Sequence, residues 1–314
     1  MLPLTVSEFL TIWMREYGES EYRPSTRDFY HFRIRTNVNP LVGDISLEEL
    51  TADDLQDLYD ELSTSGRKDG SGGLSPTTIR TMHSMLNKAL NWGVENGYLS
   101  SNPVKDLDSP PNVRRPPARY WSKDQTKVFL EASRGSTLYD LYLTLLMTGM
   151  RRREALGLTW QDVCFEKQYL HIRRSLIRVP TGTVRLDPLP PEEQREVRIP
   201  GVLVELLKGA YKEVAQRSDA ESLAVFADDS SEPLHPTAVT DKFRYDVHRI
   251  PDLPLIGLKG LRNTHAALMI ASGTHPEELT EHMDYNSIRY LLNRHGSVYK
   301  GIQEGLDRMA KEIT

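Results

Sequence analysis

The chain has 314 residues, 39% hydrophobic and 26% charged, which is the balance of an ordinary folded protein with enough length for two cores. No apolar run approaches the ~18–20 residues that span a bilayer, and no basic leader precedes an apolar stretch, so membrane and secretory classes are not expected. Cys164 is the only cysteine, which excludes an internal disulfide and a cysteine-rich zinc site and predicts a cytoplasmic protein, while the formal net charge of −5 gives no general affinity for polyanions.

Residues 1–106 read as a bundle of four or five helices. Phe9, Leu10, Trp13 and Met14 fall on one face between Ser7 and Tyr17. Thr51 is placed to cap a second helix that carries Leu55, Leu58 and Leu62 on one side, with Asp53 and Asp54 in its first turn. After the glycine-rich loop at 66–76, Ser75 and Pro76 open a long helix through Met82, Met85, Leu86, Leu90 and Trp92. Residues 1–108 hold 10 Lys+Arg against 17 Asp+Glu, so the excess of acid lies in this half.

Residues 107–119 contain four prolines and three arginines and read as an extended basic linker. A second domain, 120–314, opens with Ser122 and Gln125 in capping-box spacing, followed by an apolar helix over 136–147. The β-branched stretches between 163 and 200 predict a small antiparallel sheet, and LAVF (223–226) has the pattern of a further strand. The last segment, VYKGIQEGLDRMAKEI, has the spacing of an amphipathic helical tail. His265, His275 and His282 show no metal-ligand spacing, and neither a metal nor a cofactor is expected.

Two motifs carry more information than these patterns. TGMRRREALGLTW (148–160) is similar to the first catalytic box of the tyrosine recombinase (phage integrase) family, T-G-x-R-x-x-E-x-L-x-L-x-W. GLKGLRNTHAALMIASG (257–273) is similar to the second, H-x-L-R-H-T-x-A. The resemblance covers nearly the whole chain, and it implies a homo-oligomer in which the amphipathic C-terminal tail packs on a neighbouring copy. It implies a mainly α fold: a helical, SAM-like core-site DNA-binding domain, then a recombinase catalytic-type α domain with a small antiparallel β-sheet.

The resemblance also implies a chemistry. Family members cut DNA without a metal, through a tyrosine hydroxyl that attacks the scissile phosphate, with two arginines stabilising the charged transition state and a hairpin lysine protonating the leaving oxygen. Here the arginine positions are Arg151 and Arg262, and Glu154 takes the place of a buried structural acid. Lys259 replaces the histidine that opens the second box, and Asn263 replaces the histidine after the second arginine. MDYNSI (283–288) is similar to the third box, L-G-H-x-S-I, which puts Tyr285 at the histidine position and His295, ten residues on, at the nucleophile position. No lysine occurs between Lys167 and Lys208, where the hairpin lysine is expected; Arg185 or Arg195 supplies charge there but is a poor acid. Tyr299, one helical turn beyond His295, is the nearest substitute nucleophile on that face.

These residues predict a degenerate member of the family: a sequence-specific binder of double-stranded DNA, associated with the nucleoid, that acts as a prophage or mobile-element repressor or other transcription regulator. The alternatives are an active recombinase that uses Tyr299 as a displaced nucleophile, and a scaffold with no DNA role. Expected DNA contacts are Arg23, Arg27, Arg33, Arg35, Arg80 and Lys88 in the first domain and Arg114, Arg115 and Arg119 in the linker. In the second domain they are Arg151, Arg173, Arg174, Lys242 and Arg262.

Overall fold

A computed structural model describes residues 3–107, 118–178, 183–296, 298 and 309. The chain divides into two compact units, Met1–Arg115 and Pro116–Thr314. Most of the linker expected at 107–119, including Arg114 and Arg115, lies outside the described residues, as do Tyr299 and nearly all of the C-terminal tail.

In the first unit, α1 (Val6–Trp13) starts at Thr5, whose hydroxyl and Glu8 form a reciprocal capping box. A π-helical turn at Met14–Gly18 joins it to α2 (Glu19–Glu21). The chain repeats this construction: α3 (Pro24–Arg33) passes through a second π-helical turn, Ile34–Val38, into α4 (Asn39–Val42). Then come α5 (Ala52–Ser65), capped by Thr51 and Asp54, and α6 (Pro76–Glu95), capped by Ser75 with Pro76 in its first turn. The apolar faces read from the sequence meet in one core, where Phe9, Leu10, Trp13 and Met14 pack with Leu55, Leu58, Leu62, Met82, Met85, Leu86 and Leu90.

The second unit opens with α7 (Lys123–Ala132), capped by the Ser122–Gln125 box, and α8 (Tyr139–Thr148), which begins three residues later than the apolar pattern suggests. Trp121, Phe129, Tyr142 and Phe243 form an aromatic cluster in its core. Gly149 ends α8 with φ +63°, and α9 (Arg152–Ala155) follows directly. A Cβ on Gly149 would stand 2.5 Å from His265 Cδ2 and 2.6 Å from Met283 Sδ, so both the backbone conformation and the packing require glycine.

The β region is two small sheets rather than one. Strands β1 (Val163–Cys164), β2 (Tyr169–Ile172) and β5 (Arg195–Arg198) form an antiparallel sheet in the order β1-β2-β5; β3 (Arg174–Arg178) and β4 (Val184–Pro188) form a separate antiparallel hairpin. LAVF is not a strand. Ala224 makes an isolated bridge to Thr159, and the segment packs on the core without a ladder of its own. The helices α10 (Gly201–Val214), α11 (Pro236–His248), α12 (Lys259–Ala271) and α13 (Pro276–His282) complete the unit, and residues 288–296 are again helical. Ala266, Ile270, Leu279, Met283 and Leu291 bind α12, α13 and this last helix into one small core.

Candidate functional site

The C-terminus of α8, the start of α12 and the loop after α13 converge on a cavity of about 670 Å³. Arg151, Arg152, Arg153, Lys259, Arg262, Asp284, Tyr285 and Tyr290 are among its lining residues. Two motifs about a hundred residues apart are thereby brought together, along with the segment that follows the second.

Arg262 lies on α12 and is buried, 7% exposed. Its Nη1 donates to the Gly149 carbonyl and its Nη2 to the Met283 carbonyl, and its guanidinium carbon sits 4.9 Å from the centre of the Tyr285 ring. One donor on each terminal nitrogen is therefore spent on holding the end of α8 to the end of α13. Arg151 is more open. It donates to Glu154 Oε1 at 2.8 Å and to Asp284 Oδ2 at 2.5 Å, and its Nη2 donates to the Asp284 carbonyl at 3.0 Å.

Glu154, 1% exposed, is the hub. Its carboxylate accepts from Arg151 Nη1, from the Arg151 backbone N–H and from Arg195 Nη2 at 2.8 Å. Burial pushes this carboxyl upward, but Arg195 and Arg151 outweigh it and hold it below the ordinary carboxylate value. Arg195, on β5, is a site residue that the sequence alone marks only as a source of charge. Its pairing with Glu154 spans 41 residues, and no local spacing reports it.

Lys259 is exposed on the rim. Asn263 also lines the cavity, and its side-chain amide donates to the Arg119 carbonyl at 3.1 Å, while the Arg119 side chain is exposed. Tyr285 lies between Arg262 and His295: its ring stacks on His295 at 6.4 Å between centroids, with its hydroxyl 3.5 Å from Nε2. Burial raises the Tyr285 phenol above its ordinary value, so it is neutral at physiological pH.

His295 is fully buried, and its Nδ1 has no hydrogen-bond partner among the described residues. Burial, helped by Arg294 and Arg262, lowers its pKa to about 4, so the ring is neutral. A second neutral ring lies on α12. His265 is held by the Leu146 carbonyl at 2.8 Å and by His282 at 3.0 Å, and burial lowers its pKa to about 4 as well. No cluster of three or more metal-ligating side chains occurs among the described residues.

Several of the other expected contacts have partners inside the fold. Arg173 and Arg174 bond to the buried pair Asp162 and Thr159, at 2.6 Å and 2.7 Å, and brace the entry to the sheets. Lys242 pairs with Asp246, which also accepts from Ser136 and Tyr142. In the first unit Arg33 bonds Asn37 and packs on Phe29 and Phe32, Arg27 donates to the Glu19 carbonyl, and Lys88 lies over the Tyr22 ring. Arg23, Arg35 and Arg80 are exposed.

Residues 119–298 match the phage integrase family, and residues 5–63 match its N-terminal SAM-like domain. The chain belongs to the phage integrase family. It is similar to the tyrosine recombinase XerC-like protein of Caldanaerobacter subterraneus subsp. tengcongensis, with 22% identity over 92% of this chain and 78% of that one. It is also similar to the ICEBs1 integrase of Bacillus subtilis, with 21% identity over 91% of this chain and 77% of that one. Among solved structures, the Tn1549 transposon integrase in complex with transposon right end DNA superposes with a TM-score of 0.78 at 18% identity, covering 96% of this chain and 99% of the other. A lambda integrase dimer bound to a core site gives 0.66 at 17% identity over 90% of this chain and 96% of that one. The integrase fold expected from the two boxes is thus present in both parts of this chain.

Proposed function

We propose that this integrase-family protein is a sequence-specific DNA-binding protein that holds duplex DNA without cutting it, as a repressor or other transcription regulator of a prophage or mobile element. The observation that carries the reading is His295. The third box puts this residue where the family places its attacking tyrosine, and the ring there is buried, neutral and stacked beneath Tyr285. A side chain with no exposed nucleophilic atom cannot open a phosphodiester in line. The stretch where the family carries its general-acid lysine holds no lysine either, so loss of the attacking group is matched by loss of the group that would protonate the leaving oxygen.

What remains suits binding. Arg151, Arg262 and Lys259 bring cationic side chains to one concave surface, and similar structures include integrases captured on DNA. Arg23, Arg35 and Arg80 offer exposed cations on the first unit, whose overall acidity disfavours indiscriminate binding to any duplex. A repressor gains from that, because non-specific DNA is its main competitor.

The test is a genome-wide map of sites occupied by the tagged protein, with sequencing through each site and transcript levels beside it. The reading expects a few discrete sites with continuous, unrearranged strands and neighbouring genes that change expression when the protein is deleted. Recombined junctions at the occupied sites that disappear in Tyr299→Phe would overturn it in favour of an active recombinase.

A further inference from the structure

Asp284 stands at the mouth of the same cavity in a conformation that calls for an explanation. Its φ is +47°, in the left-handed region that non-glycine residues seldom occupy. The result of this turn is a two-oxygen grip on Arg151. Oδ2 of Asp284 accepts from Nη1 at 2.5 Å and the carbonyl of the same residue accepts from Nη2 at 3.0 Å. A phosphodiester addresses a guanidinium in the same way, with two oxygens on two parallel N–H groups. The carboxylate also lies 3.9 Å from Arg195 Nη1, so one acid offsets two of the site's cations.

Position separates Asp284 from the other acid on this arginine. Glu154 is 1% exposed and belongs to the interior, whereas the Asp284 side chain is 35% exposed beside an Arg151 side chain that is 31% exposed. Of the five guanidinium N–H donors, three are engaged by Glu154 and Asp284 together, and two of those three face Asp284 at the cavity surface. A ligand oxygen arriving from the cavity meets that fork already filled. The Met283 carbonyl, one residue before, holds Arg262 in the same manner, so one short loop covers both arginines.

We propose that Asp284 is an internal stand-in for phosphate: its carboxylate and its backbone carbonyl together fill the Arg151 fork in the DNA-free protein, and the carboxylate must leave before a backbone phosphodiester of duplex DNA can enter. The proposal rests on the reading above that this cavity receives DNA. It makes Asp284 a selectivity element, since a loosely placed phosphate cannot displace a residue already held by two contacts, whereas a duplex aligned by other contacts can.

The experiment compares full-length wild type, Asp284→Asn, Asp284→Gly, Arg151→Ala and the Arg151→Ala/Asp284→Asn double variant. Each is titrated onto a fluorescently labelled, mixed-sequence duplex across a range of salt concentrations. Asparagine and glycine both tolerate the left-handed backbone, so the two single variants remove the charge by independent routes. Both are expected to bind about fivefold tighter than wild type, the scale of a partly exposed ion pair. Their salt dependence should steepen by about one unit of log–log slope, for one more neutralised phosphate. The double variant should show no gain over Arg151→Ala. Unchanged or weaker binding by both Asp284 variants, while Arg151→Ala still weakens binding, would overturn the stand-in and leave the DNA reading intact. No binding by any of the five proteins, even at low salt, would overturn both.

Discussion

At the residue scale the site is organised by buried groups whose charge state is fixed by their surroundings. Glu154 is the clearest case, because its carboxylate is enclosed and shared by Arg151 and Arg195. Glu154→Gln removes the buried counter-charge that the two guanidiniums share and leaves them only the more exposed Asp284, so denaturant unfolding should show a loss of about 3 kcal/mol. The buried histidines give a pH signature. His265 and His295 titrate near 4 in the fold and near 6.5 when unfolded, so the unfolded chain binds more protons between those values. Stability is therefore retained above pH 6.5 and lost as the pH falls towards 4, by about 2 kcal/mol per histidine at pH 5. His295→Phe should unfold much like wild type at pH 7 and outlast it at pH 5, which a pair of urea titrations would read directly. Equal losses at pH 5 in both proteins would show that His295 is not part of the acid response.

At the scale of elements, the sequence was most legible where the signal is local. The caps at Thr51, Ser75 and Ser122 start their helices as expected, since a hydroxyl three residues from the N–H it accepts from needs no tertiary context. Ser122→Ala should accordingly cost about 1 kcal/mol in thermal or urea unfolding. Gly149→Ala should cost more than that cap, because it combines a strained φ with an overlap against His265 and Met283. Legibility failed where packing decides. LAVF is apolar throughout, like a buried strand, yet its one bridge joins Ala224 to Thr159, and the β-rich stretch splits into two sheets because β2 pairs with β5 and leaves β3 and β4 to each other. The two arginine boxes were readable as motifs. The grip of Asp284 on Arg151 was not, because the partners are 133 residues apart and only folding shows that the loop after α13 returns to the start of α9.

At the scale of the whole molecule, two units with unlike charge share one chain. The first carries the acidic excess, and the second gathers arginines around a concave site, so affinity for DNA should depend on local grip rather than on net charge. The central claim is that this grip is not followed by strand cleavage. The most direct measurement incubates the protein with a nicked duplex carrying its own binding site, under conditions that trap covalent intermediates, and resolves the mixture on a denaturing gel. The account predicts free protein and intact strands, with a complex visible only on a native gel. A band that survives denaturation and vanishes in Tyr299→Phe would contradict it.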